Sequence, residues 1–87
     1  MGQKLKQDIQ IGSMIRKLRI ERHMTQEQVV TKLQLENLDI TRSIYSQIEG
    51  GRYSIRISIL AGLVKVFRVD YNTFFQEVDI SHLKSKE

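Results

Sequence analysis

Four side chains able to make directed hydrogen bonds fall within six residues of one another: Arg42, Ser43, Ser46 and Gln47. At about 100° per residue they share one arc of a helix, with Ile44, Tyr45 and Ile48 on the opposite arc. A guanidinium offers donors in a fixed fork, an amide both donates and accepts, and a hydroxyl does either. That is chemistry for recognising a polar surface. It contains no nucleophile beside a base. The rest of the chain adds little reactive chemistry. There is no cysteine, and His23 and His82 lie far apart, expected to end a helix and to sit in a tail. No cluster has metal-ligand spacing, and Gly50-Gly51 reads as a helix stop rather than a phosphate loop. The sequence therefore predicts no enzyme, no metal and no cofactor.

The elements that must position this face are helical. Ile11, Met14, Ile15 and Leu18 recur at helical spacing over Ile11–Arg22. Thr25-Gln26-Glu27-Gln28 is a capping box that opens a second helix, with Val29, Val30 and Leu33 on its buried side. A connection over Gln34–Ile40 is polar at Glu36, Asn37 and Asp39, and Leu35, Leu38 and Ile40 are expected to tuck onto the core. Thr41 caps a third helix over Arg42–Gly50, and a glycine past its end can take the left-handed conformation.

A fourth segment, Ile57–Phe67, is apolar nearly all round. Its predicted buried stripe is Ile57, Leu60, Ala61, Val64 and Phe67, which leaves Ile59 and Val66 to face a partner, with Val78 beyond them. A fifth helix opens at Asp70 and carries Tyr71, Phe74, Phe75 and Val78, the aromatics being read as core. Ser81–Glu87 reads as a frayed tail. No stretch alternates as a strand would, so an all-α domain is expected over residues 1–87, its core at about 10–78.

The chain has 87 residues and a net charge of +4. Residues 1–56 hold ten basic and six acidic side chains, and residues 57–87 hold four of each, so the whole excess lies in the first part. A basic part beside a neutral part suits a polyanion, although solvated lysines and arginines account for it equally well. The start of the chain lacks the apolar run of a signal peptide, and no stretch approaches the roughly 20 apolar residues of a membrane span. With no cysteine, a reducing, cytoplasmic location is expected.

The segments IGSMIRKLRIERHMTQEQV, DITRSIYSQIEGGR and SILAGLVKVFRVDYNTFF, in this order, resemble the phage-repressor type of helix-turn-helix domain. This is the XRE-type family of Cro and the lambda-like repressors, and the likeness spans roughly residues 10–76. It implies a compact five-helix bundle that binds double-stranded DNA, with the third helix in the major groove and the second bracing the backbone. It also implies that Arg42, Ser43 and Gln47 face the bases, and that Ser46 and Arg52 lie nearer the sugar-phosphate. Gln26 would contact a phosphate and support a recognition side chain. Arginine pairs with guanine O6 and N7, and glutamine with adenine N6 and N7, so Arg42 and Gln47 are the first candidates for base reading. Ile44 is read as packing rather than touching a thymine methyl. Arg19 and Glu49 match a family pair that forms a partly buried salt bridge between helices 1 and 3.

Departures from the pattern are local. The connection between helices 2 and 3 is lengthened and lacks its glycine. Val30 stands where alanine is usual, and His23 where glycine is usual. The function expected is a sequence-specific transcriptional regulator, read as a repressor acting as a homodimer on a palindromic operator. An antitoxin-like module that neutralises a partner protein is the alternative, and an RNA-associated helix-turn-helix a third reading.

Overall fold

The computed structural model describes residues 4–5 and 11–75. Their order is β1 (Lys4–Leu5), α1 (Ile11–Glu21), α2 (Gln26–Leu35), α3 (Arg42–Glu49), β2 (Ile55–Arg56), α4 (Ile57–Phe67) and a 3-10 helix, Tyr71–Phe75. The fold is mostly helical, with four α-helices among the described residues. None of these is long and apolar enough to cross a membrane. Val78, His82 and the tail at Ser81–Glu87 lie outside the described residues.

Local chemistry sets the helix boundaries. The Thr25 hydroxyl accepts from the Gln28 N–H at 3.0 Å while the Gln28 side chain accepts from the Thr25 N–H at 2.8 Å, closing the capping box. The Thr41 hydroxyl accepts from the Ile44 N–H at 3.2 Å and opens α3. All four α-helices end on a left-handed residue: His23 (φ 55°), Asn37 (φ 64°), Gly51 (φ 74°) and Arg68 (φ 57°). In each case the next N–H reaches back five residues: Met24 to Arg19, Leu38 to Leu33, Arg52 to Gln47 and Val69 to Val64. Asn37 thus does the work of the missing turn glycine, since its short polar side chain tolerates this region.

The residues after these turns differ in kind. Met24, Leu38 and Val69 are apolar and pack on the core. Arg52, past the end of α3, is exposed.

The core is one cluster. Ile11, Met14, Ile15 and Leu18 come from α1, Val29, Val30 and Leu33 from α2, and Tyr45 and Ile48 from α3. Ile59, Leu60, Leu63 and Phe67 from α4, with Phe74, complete its floor. Three expectations are corrected here. Ile59 is 3% exposed and belongs to the core, while Ile57 and Ala61 are exposed, so α4 is rotated from the expected setting. Gly62 is the reason: a Cβ there would collide with Leu38 Cδ1 and come within 2.9 Å of Leu33 Cδ2, so α4 turns this bare backbone toward α2. Leu35 does not tuck in; it is 77% exposed, the α2–α3 connection being held by half-buried Leu38 and buried Ile40. Tyr71 is exposed as well, while Phe74 is buried and the Asp70 carboxylate accepts from the Thr73 N–H at 3.1 Å.

The expectation of no strands is also corrected. β1 and β2 pair antiparallel, Lys4 opposite Arg56 and Leu5 opposite Ile55. Strands of two residues carry no readable alternation, which is why the pattern missed them.

Candidate nucleic-acid interface

α3 has only eight residues and is anchored from below. Tyr45 and Ile48 are buried, and Ile44 is half-buried against the core. The opposite arc is open: Arg42 and Ser43 are exposed, and Ser46 and Gln47 are half-buried. Arg52 follows the Gly51 turn, its guanidinium close to the bare face of Gly50. Arg42, Ser43, Ser46, Gln47 and Arg52 therefore all sit on or beside one helix.

A chain of polar contacts runs from α1 to this open arc. Arg19 grips Glu49 with two hydrogen bonds, Nε to Oε2 at 2.7 Å and Nη2 to Oε1 at 3.1 Å. A third donor of Arg19, Nη1, closes on the Met24 carbonyl at 2.8 Å and so also braces the turn after α1. The pair is shielded, with side-chain exposures of 13% and 3%. Gln26, the first residue of α2, donates from Nε2 to Glu49 Oε1 at 3.1 Å. That fixes its amide so that Oε1 faces the other way, where it meets Arg42 Nε at 3.5 Å. Arg42 is exposed, so its guanidinium stays open to solvent beside this contact.

The electrostatics follow from this geometry. Burial alone would push the Glu49 carboxyl up. Hydrogen bonds from Arg19 and Gln26, with the dipole of the Tyr45 hydroxyl, outweigh it and hold the carboxyl below its ordinary value. The same pairing raises Arg19. Burial, reinforced by the negative charge of Glu49, raises the Tyr45 hydroxyl well above its usual range. That hydroxyl is buried beside the ion pair, yet it has no hydrogen bond of good geometry among the described residues.

Two contributors escaped sequence reasoning. Tyr45 was read purely as packing, although it stands one turn before Glu49 and contacts the ion pair with its polar end. Arg22 was not singled out. It donates to the carbonyls of Phe67 at 2.9 Å and Leu18 at 3.2 Å and lies over the Phe67 ring at 5.6 Å, tying the ends of α1 and α4 together. A lone arginine near a helix end carries no signal that would mark such a clamp. Among the described residues no group of His, Cys, Asp and Glu could hold a metal ion.

A family model described as a helix-turn-helix domain matches residues 12–80. The chain belongs to this helix-turn-helix family. Two similar solved structures are of the restriction-modification controller protein C.Esp1396I. One is of a point mutant, 33% identical over 77% of this chain and 78% of that one, with a TM-score of 0.63. The other is the C.Esp1396I tetramer in complex with its natural 35 base-pair operator, also 33% identical, covering 77% and 82% of the two chains, with a TM-score of 0.62. No curated protein matches. The matched residues of this helix-turn-helix chain take in α2, α3 and the whole chain of contacts from Arg19 to Arg42.

Proposed function

We propose that this protein is a sequence-specific transcriptional regulator, a repressor in our reading, that inserts α3 in the major groove of double-stranded DNA. The observation that carries this is the polar chain Arg19–Glu49–Gln26–Arg42, which ends in a held guanidinium on an open face. Arg42 and Gln47 read bases, Ser43 adds to the same face, and Gln26, Ser46 and Arg52 meet the sugar-phosphate. The likeness to an operator-bound controller protein supports the reading. The five-helix bundle remains our reading of the whole chain, with Tyr71–Phe75 as the fifth element. Its action is non-enzymatic and its location cytoplasmic.

One reading helix spans only a few base pairs, so the protein acts as a homodimer on half-sites about 34 Å apart. With Ile59 in the core, the surface for this contact moves to Ile57, Ala61 and half-buried Val64, which form a stripe on the outer side of α4.

Selection from a random DNA pool tests the reading. A palindromic site is expected, with affinity falling steeply with salt. Arg42→Ala and Gln47→Ala are expected to relax base preference, each by about 1–3 kcal/mol, and Arg52→Ala to weaken all sites alike. Selection of no site, with a partner protein co-purifying, would favour the antitoxin-like alternative instead.

A further inference from the structure

Tyr45 is fully buried, and its hydroxyl is an unmade donor among the described residues. A shielded polar group left without a hydrogen bond costs stability, and phenylalanine would fill the same space without that cost. Local conflicts of this kind concentrate at functional sites.

The acceptor beside it is unfinished as well. A carboxylate offers about four lone-pair sites. Glu49 Oε1 receives Arg19 Nη2 and Gln26 Nε2, each at 3.1 Å, whereas Oε2 receives Arg19 Nε alone among the described residues. Tyr45 stands one helical turn before Glu49 on α3, with its hydroxyl beside that carboxylate and Arg19. An unspent donor and an unspent acceptor site therefore lie side by side, both sheltered from water, without joining. The other loose point of the network is at its far end. Arg42 Nε meets Gln26 Oε1 at 3.5 Å, the longest contact in the chain from Arg19. Tyr45 and Arg42 both belong to α3, so one small movement of that helix alters both points together.

We propose that the Tyr45 hydroxyl is a positioning group, which closes on Glu49 Oε2 when α3 seats on DNA and so locks the Glu49–Gln26 arm behind Arg42. This rests on the DNA-binding reading above, and it makes a buried residue that never touches DNA a determinant of base preference. The groove supplies the free energy for closure, because Arg42 keeps its base contact only in the closed setting.

The test compares Tyr45→Phe with the wild type, each as the full chain, by selection from a random DNA pool and then by fluorescence anisotropy on the selected duplex. Without DNA, Tyr45→Phe is expected to melt at or above the wild type, since an unmade donor is removed. On the selected duplex it should bind roughly tenfold more weakly, the weight of one hydrogen bond to a charged group. Base preference should relax at the position that Arg42→Ala also relaxes, and in the Arg42→Ala background the same change should cost nothing further. A lower melting point without DNA makes the hydroxyl a structural partner already engaged in the free protein, and overturns the proposal. Equal affinity overturns it too, as does a loss that adds to that of Arg42→Ala or spreads evenly over all duplexes. Tyrosine carrying carbon-13 at Cζ gives a readout that packing alone would not move. The Tyr45 signal, identified by its absence in Tyr45→Phe, should shift when the duplex is added, and an unmoved signal overturns closure. Failure of the wild type to select any site would sink the DNA-binding reading and the proposal with it, whereas every other failure leaves that reading standing.

Discussion

Across the joint between α1 and α3, a shielded carboxylate receives two donors from Arg19 and one from Gln26. Across the joint between α2 and α4 there is bare backbone at Gly62, with Leu33 and Leu38 laid against it. The ion pair there, Lys65 to Glu36 at 2.8 Å, is exposed and contributes little. One joint is directional and the other is steric. The directional joint holds the helix that carries the proposed recognition face, where a small rotation would redirect Arg42. The steric joint holds the helix that closes the core, where packing density is enough. Orientation is fixed by hydrogen bonds where angle matters, and by shape where only proximity matters.

The largest expected effect tests the directional joint. Glu49→Ala leaves Arg19 shielded and unpaired, and should cost about 3–5 kcal/mol, much of the stability of a domain this small. Urea denaturation followed by circular dichroism measures it; a loss under about 1 kcal/mol would mean that α3 is held by its apolar face alone. The steric joint should respond to Gly62→Ala. Overpacking costs about 1–3 kcal/mol, while alanine returns about 1 kcal/mol of helix propensity, so a net loss on the order of 1 kcal/mol is expected. In the background of Leu38→Ala the same change should become neutral or favourable, and a cycle of the two showing no coupling would refute the close approach.

Acid separates the joints more gently. The Glu49 carboxyl is held below its ordinary value, so the stability it contributes is whole above about pH 4.5 and is lost as pH falls through its lowered folded value. Melting temperature against pH should therefore drop less steeply in Glu49→Gln than in the wild type below that point, and parallel curves would contradict the pairing. The smallest effect lies at the turn beneath Arg19. His23 holds φ 55° without the freedom of glycine, so His23→Gly should stabilise by roughly 1 kcal/mol. A loss on thermal melting would show that the imidazole contributes more than its backbone strain costs.

Much of this was legible in the sequence, and the parts that were not share a physical cause. The capping box at Thr25, the cap at Thr41 and the stripe of α1 are local patterns, and a local pattern survives without knowledge of the neighbours. Arg19 and Glu49 are 30 residues apart, and only a family resemblance joined them before coordinates did. The setting of α4 was misread because apolar side chains lie on nearly every side of it, and its buried face is set by the close approach at Gly62. Gly62, which counts as a gap in hydrophobicity, is in fact where the neighbour comes nearest. The left-handed ends at His23 and Arg68 were hidden for a related reason: neither residue type advertises positive φ.

The β ribbon has a consequence for how the chain folds. Lys4 and Arg56 are 52 positions apart, so their pairing ties the first three helices into one large ring without a covalent bond. Closing a ring of that size is entropically uphill, and a two-residue ladder gives little back until the helices already hold its ends near each other. The ribbon therefore closes after the folding barrier has been crossed. What it adds to the native state appears as slower unfolding, with the rate of folding left to the helices.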